Sequence, residues 1–462
     1  MLLLPLQMLV FGILMSASSG TSTATLFAMF TAMQFLFGVG VGGEYPVAST
    51  SANERAESTK TLNNRRGETV VLVFSMQGWG NFVNTLVIAV LLAIFGQTGV
   101  PYNDTSLEVV WRLSYALGCL PLLFIFIWRC TRLKESEVWK GKRKALKELG
   151  RASRAETHRK YGLLAKYYWH RQFGTAFNWL VWDFAFYGNK LFQGTFIKVI
   201  NPTASLMELL FWTLLNSGVA LIGYYFAAFT IDKQWMGRKR MQSLGFFMTG
   251  FLFLMCAVFY TDLTKPGNIH WFQFLYYFSS FWGQFGPNAT TWLLPAELSP
   301  TEVRSACHGL SAATGKAGAL IAGVVFALVS DRDKFVISAV CGLVGVILTV
   351  IFTPDITGLD LREGDKRWLA ILDGKHAQYS GEAVNPKHLS LFERLLGYGK
   401  LYDPTRAPTP GGGDHHTKVA TVEGLVVGTV TERGEGEDEV HEVSRPPVGK
   451  GISFQAKQLD YM

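Results

Sequence analysis

Apolar runs of about 18 or more residues recur through the first 354 positions of this 462-residue chain, and that recurrence limits the fold more than any other feature. A helix needs roughly 20 such residues to cross ~30 Å of hydrocarbon. Only helices and closed barrels satisfy their backbone polar groups within lipid. Ten such spans can be drawn, at 2–17, 26–50, 69–95, 111–128, 173–197, 206–230, 241–260, 271–294, 306–329 and 335–353. They are too many for one soluble core, so the sequence predicts an all-α, polytopic membrane protein.

Charge follows the same division. Residues 1–354 hold 30 Lys+Arg and 18 Asp+Glu, whereas 355–462 hold 13 and 17. The connections after the second, fourth, sixth and eighth spans carry 23 of those 30 basic residues. Positive residues in short loops are retained on the cytoplasmic side, so these connections and the tail are expected to be cytoplasmic. Asn103-Asp104-Thr105 then falls outside, as a glycosylation acceptor or an unused triplet. Orientation accounts for the basic balance, and no nucleic-acid partner is inferred. Cys119, Cys130, Cys256, Cys307 and Cys341 lie in or beside apolar runs without a CxxC pair. They read as small buried hydrophobes, and neither a metal site nor a cofactor is expected. Met1 opens directly into a span, so no cleavable signal is expected.

The long basic stretch divides the chain into an N-terminal bundle of four spans (1–128), a central cytoplasmic loop (129–171), a C-terminal six-helix bundle (172–354) and a hydrophilic cytoplasmic tail (355–462). If the architecture is two repeated six-helix halves, the first two helices and their basic hairpin are missing from the first half. Beyond about residue 400, Pro/Gly-rich and acidic composition predicts disorder.

Charges inside a span cost roughly 2.5–3.5 kcal/mol each on insertion scales, so they usually face a cavity and mark a pathway. Glu44, Asp183, Lys190 and Lys316 are in this position. Glu44 follows a glycine run and precedes Tyr45-Pro46, so it reads as a pathway carboxylate or as part of a helix-packing seam. Trp179, Asp183 and Tyr187 recur at i, i+4, i+8 along one helix face, a ligand face with a carboxylate in its middle. Lys190 lies seven residues on, so a structural Asp183–Lys190 ion pair is the competing reading. Gly286-Pro287-Asn288 interrupts the eighth span, and broken helices expose polar backbone to substrates. Lys316, in a stretch of small residues, is a compact charge suited to a phosphate oxygen, or else the partner of a carboxylate across the bundle. Gln77 adds an amide on the third span.

Residues 38–49 (GVGVGGEYPVAS), the segment from Arg65 to Gly78 ending in VFSMQG, residues 179–187 (WLVWDFAFY) and residues 288–318 together resemble the phosphate:proton symporters of the major facilitator superfamily. The resemblance covers about residues 5–360 and implies two pseudo-symmetric six-helix bundles around a central site. It matches the family's phosphate-binding groups to Tyr45, Gln77, Trp179, Asp183, Tyr187, Asn288 and Lys316, and its proton-coupling groups to Glu44 and Asp183. Glu44 stands where the family usually has Asp, and related glycerophosphodiester carriers share that motif. The implied activity is inward transport of inorganic phosphate with protons across the plasma membrane. An organophosphate carrier is the alternative, and a non-transporting sensor or truncated pseudo-transporter is the alternative of another class. No enzymatic constellation of nucleophile, base and oxyanion donors is present.

Overall fold

Helix starts and stops follow the apolar stretches closely. The computed structural model describes residues 2–56, 60–132, 154–194, 203–265, 267–405, 417–422 and 425–431. In chain order the first helices are α1 (Leu3–Ser16), α2 (Thr23–Ala56), α3 (Lys60–Asn64), α4 (Arg66–Phe74), α5 (Met76–Ile94) and α6 (Asp104–Arg132). They are followed by α7 (Arg154–Leu191), α8 (Leu206–Thr230), α9 (Gly237–Val258), α10 (Ile269–Gly283), α11 (Ala289–Glu297), α12 (Arg304–Leu328) and α13 (Asp331–Phe352). Among the described residues, seven helices are long and apolar enough to cross a membrane: 23–56, 66–94, 104–132, 206–230, 237–258, 304–328 and 331–352. The first expected span is a 14-residue helix. The fifth lies within the 38-residue α7, whose first turns are polar, and the eighth is divided between the 15-residue α10 and the 9-residue α11.

Several helices outrun the expected spans, α2 to Ala56 and α6 from Asp104 among them, and two further differences bear on the site. The fifth span starts at Arg154, so the last part of the basic loop is already helical; residues 133–153 lie outside the described set. The eighth span is not broken at Gly286-Pro287-Asn288. Residues Gln284–Asn288 form one π-turn between α10 and α11, and the helix continues. Pro287 has no N–H to give the α-helical ladder, and one widened turn accommodates it.

The chain is apolar outside as well as inside. Leu120, Phe124 and Trp128 on α6, and Leu320, Val324 and Leu328 on α12, are exposed at helical spacing, forming stripes that suit lipid. Inside, Ile231, Met241, Ala289 and Leu293 are fully buried, in a core built by α4, α7, α8, α9 and α11. Close approach is set by glycine where α9 meets α13, since a Cβ on Gly342 would lie 2.5 Å from Gly250 Cα.

One end of the bundle is closed by buried charge. Arg66 Nε donates to Glu297 Oε1 at 2.6 Å, and Arg238 donates to both oxygens of Glu297 at 3.0 Å. Asp232 pairs with Arg238 at 2.7 Å and accepts from the backbone N–H groups of Gly67 and Glu68, satisfying free donors at the start of α4. Lys160 pairs with Glu302 at 2.9 Å and Arg171 with Glu393 at 2.8 Å. The connections after spans two, four, six and eight and the segment after Asp355 therefore meet at the same end.

That segment is ordered well past the last span. It forms α14 (Leu361–Leu372) and α15 (Leu391–Leu395), the latter started by a Ser390/Glu393 capping box. Trp368, 2% exposed, packs edge-on against Tyr168 of α7. Met1–Thr409 make one unit and Pro410–Met462 a second. In the second, β1 (Thr417–Val422) pairs antiparallel with β2 (Leu425–Thr431), Thr417 opposite Thr431 and Val422 opposite Leu425. The expectation of disorder beyond about residue 400 is therefore corrected for 417–422 and 425–431 only; for 406–416, 423–424 and 432–462 it lies outside the described residues. Dense β-branched runs on either side of Glu423-Gly424 favour strands, a local signal that overall composition averages away.

The cysteine reading also needs correcting. Cys119, Cys256 and Cys307 are buried, but Cys130 is exposed and Cys341 half-buried. Arg129 turns inward to Glu44, which directs the next side chain of the helix outward.

Candidate functional site

Lys316 owes its position to the small residues around it. A Cβ on Gly315 would lie 2.5 Å from Trp179 Cδ1, and one on Gly318 would collide with the Leu180 carbonyl. Glycine at both positions lets α12 press against α7 and carries Lys316 to the Trp179–Asp183–Tyr187 face. There its Nζ donates to Asp183 Oδ2 at 2.9 Å and to the Tyr187 hydroxyl at 2.9 Å. It also lies 5.3 Å from the ring centroid of Tyr45 and 4.3 Å from that of Tyr187, within cation–π range. Side-chain exposure is 41% for Lys316 and 2% for Asp183. The cation keeps partial exposure while its counter-ion is buried.

Aromatic residues wall this group. Tyr45 lies 6.3 Å from Trp179 and 5.2 Å from Trp292, and Trp292 stacks on Phe74 at 4.7 Å. His308 sits between Trp179 and Trp292 at 5.4 and 5.0 Å, its Nε2 3.1 Å from the Trp292 carbonyl oxygen.

Gln77 and Asn288 form a second, neighbouring group. Gln77 Oε1 accepts from the Tyr224 hydroxyl at 2.6 Å and from Asn288 Nδ2 at 2.9 Å. The two Asn288 amide protons are shared among Gln77, Tyr224 and Gln284, while its Oδ1 accepts from Trp182 Nε1 at 2.9 Å. The π-turn delivers Asn288 to this cluster, and Trp182, beside Asp183 on α7, joins the two groups.

Two charges from the sequence lie elsewhere. Lys190 does not pair with Asp183; it donates to Asn81 Oδ1 at 2.8 Å. Glu44 is held by Arg129 in a two-pronged pair at 2.6 and 2.8 Å, away from Lys316. Tyr224, Gln284, Trp182, His308 and the Arg66–Glu297–Arg238 cluster were not singled out by sequence. Tyr224 lies in an unbroken apolar run, and Glu297 at a span end looks like an ordinary loop acid. Among the described residues, no group of three His, Cys, Asp or Glu side chains could hold a metal ion.

The arrangement is a major facilitator superfamily fold. A structure of the proton:xylose symporter of that superfamily, bound to 6-bromo-6-deoxy-D-glucose, matches with a TM-score of 0.61 and 16% identity, covering 79% of this chain and 82% of that one. The chain belongs to the sugar (and other) transporter family, whose profile matches residues 1–164 and 184–368.

Among its relatives, Glycerophosphoinositol transporter 1 of Saccharomyces cerevisiae is 33% identical over 360 residues, 76% of this chain and 64% of the yeast protein. Probable inorganic phosphate transporter 1-8 of Oryza sativa subsp. japonica is 31% identical over 415 residues, 78% of this chain and 75% of the rice protein. The resemblance read from the motifs is borne out at the level of family. The chain spans slightly less than two thirds of the yeast relative.

Proposed function

We propose that this chain is a secondary active transporter that carries inorganic phosphate inward together with protons. The observation that carries this reading is the unequal exposure of an ion pair: Lys316 is open, its partner Asp183 is buried. An ammonium is a point charge for a phosphate oxygen. The Tyr45 and Tyr187 hydroxyls, the Trp179 indole and the Gln77 amide supply the remaining donors, and Asn288 joins them when the anion replaces its present acceptors Gln77, Tyr224 and Gln284. An anion at Lys316 meets the Asp183 carboxylate at close range in a poorly screened site. The repulsion is relieved when Asp183 takes a proton, which ties each anion to a proton. Glu44, neutralised by Arg129, is assigned to the later proton path.

Energetics support coupling. A monoanion entering a negative interior costs about 2.3 kcal/mol per 100 mV, and more than one proton per anion reverses that cost. In the arrangement proposed, ten helices cross the plasma membrane, organised as 1–128, 129–171, 172–354 and 355–462. The charge-rich end faces the cytoplasm. The decisive test is uptake of labelled phosphate by vesicles containing the purified protein, under an inwardly directed proton gradient. Accumulation that collapses with a protonophore supports the reading; uptake that merely equilibrates removes the coupling.

A second reading, an organophosphate carrier, is favoured by the yeast relative named for glycerophosphoinositol. Competition against labelled phosphate by that compound separates the two.

A further inference from the structure

Lys190 is a charge that the Lys316 site leaves unused. On α7 it lies seven residues beyond Asp183, about 10 Å along the helix at ~1.5 Å per residue and on nearly the same face. Lys160 and Arg171 tie the earlier part of α7 to the charged end, so Lys190 stands on the far side of Asp183 from that end. It lines a cavity of about 200 Å³ bounded by α5, α7, α8, α9 and α10. Tyr224, Gln284 and Trp182, which hold Asn288, form part of the same wall. The cavity therefore adjoins the candidate site.

Nothing in that wall neutralises Lys190. No Asp or Glu lines the space, and its polar lining is made of amides, Asn81, Asn84 and Asn216 among them, with Ser and Thr hydroxyls. Among the described residues the ammonium donates to one neutral group, Asn81 Oδ1 on α5 at 2.8 Å, and lies 5.6 Å from the centroid of the Phe186 ring. The charged group acting on it is a second cation, Lys316. A lysine close to the end of a span can extend to the membrane interface. Lys190 crosses to α5 instead and remains exposed, so its charge is available within the cavity.

Two cations at successive depths, with no acid in the cavity wall, draw anions inward and raise their rate of capture. A hydrogen bond between two ions is roughly twice as strong as one to a neutral amide, so an arriving anion displaces Asn81 from the ammonium. We propose that Lys190 is an outer anion station of the transport route, which captures phosphate and passes it to Lys316. Without the tyrosines and the indole that surround Lys316, it holds the anion briefly and sets the rate of entry rather than the final affinity. For the identity of the anion this rests on the phosphate reading above.

The test is the initial rate of labelled phosphate uptake by vesicles containing the purified full chain, compared for the unmodified protein, Lys190→Gln and Lys190→Arg across a range of salt concentrations. Glutamine keeps an N–H for Asn81 and removes the charge. Lys190→Gln should lower kcat/KM roughly fivefold or more at low salt while kcat stays within about twofold. Added salt should slow the unmodified protein more than this variant, and Lys190→Arg, which keeps the charge, should hold kcat/KM within about twofold of the unmodified value. Equal kcat/KM in Lys190→Gln and the unmodified protein overturns the station. A fall in kcat as large as the fall in kcat/KM, or a loss that Lys190→Arg shares, makes Lys190 a structural tie to α5 and overturns it as well. In each of these cases uptake by the unmodified protein leaves the phosphate reading standing. Unmodified protein that takes up no phosphate removes both.

Discussion

Lys316 Nζ and Asp183 Oδ2 lie 2.9 Å apart across two helices, 133 positions apart in the chain. The pair is lopsided: the lysine side chain is 41% exposed and the aspartate 2%. An arriving anion can therefore reach the cation without uncovering the carboxylate.

Replacing Lys316 tests the cationic half. Lys316→Ala is expected to abolish saturable phosphate binding by the purified protein, measured calorimetrically. Lys316→Arg should retain weaker binding with altered anion selectivity, because a planar fork does not reproduce a point charge. Unchanged affinity in Lys316→Ala would leave the lysine as a structural partner of Asp183.

How much of this was legible in sequence varies by residue. The stripe Trp179, Asp183, Tyr187 and the lone Lys316 stood out because charge in an apolar run is costly. The partner of Asp183 was left open, since helical spacing offered Lys190 while Lys316 was matched only to an unnamed carboxylate across the bundle. In the structure Lys190 turns to Asn81 instead. Gly315 and Gly318 read only as small residues, yet they set the approach of α12 to Trp179 and Leu180. The Asn288 cluster depends on a π-turn that sequence registers as an interruption. The cavity amides are spread over several helices, and nothing local groups them.

The buried cluster at the charged end is expected to dominate stability. Glu297→Gln leaves Arg66 and Arg238, 3% and 2% exposed, with a neutral partner in place of a carboxylate. Removing one member of a buried ion pair costs ~3–5 kcal/mol, so the melting temperature in detergent should fall by several degrees. A shift within error would mean that water or Asp232 compensates.

The docked segment after the last span should respond to pH with a defined sign. Burial pushes the Glu393 carboxyl up, but Arg171, His170 and Arg367 outweigh this and hold it well below its ordinary 4.5. A carboxylate lowered in the folded state contributes stability that is present above its unfolded value and lost as pH falls through its folded one. Docking of Leu391–Leu395 should therefore be constant from neutral pH down to about 5 and loosen only in stronger acid. Hydrogen–deuterium exchange over that helix checks this, and Glu393→Gln should raise exchange already at pH 7.

Proton coupling through Asp183 is the central claim, and accumulation by Asp183→Asn is its most direct test. The amide stands in for the protonated acid and releases no proton. In vesicles under an inwardly directed proton gradient, the variant should exchange labelled phosphate across the membrane, with less dependence on pH, and fail to concentrate it inside. Gradient-driven accumulation by Asp183→Asn equal to that of the unmodified protein would contradict the account and move the coupling role to Glu44.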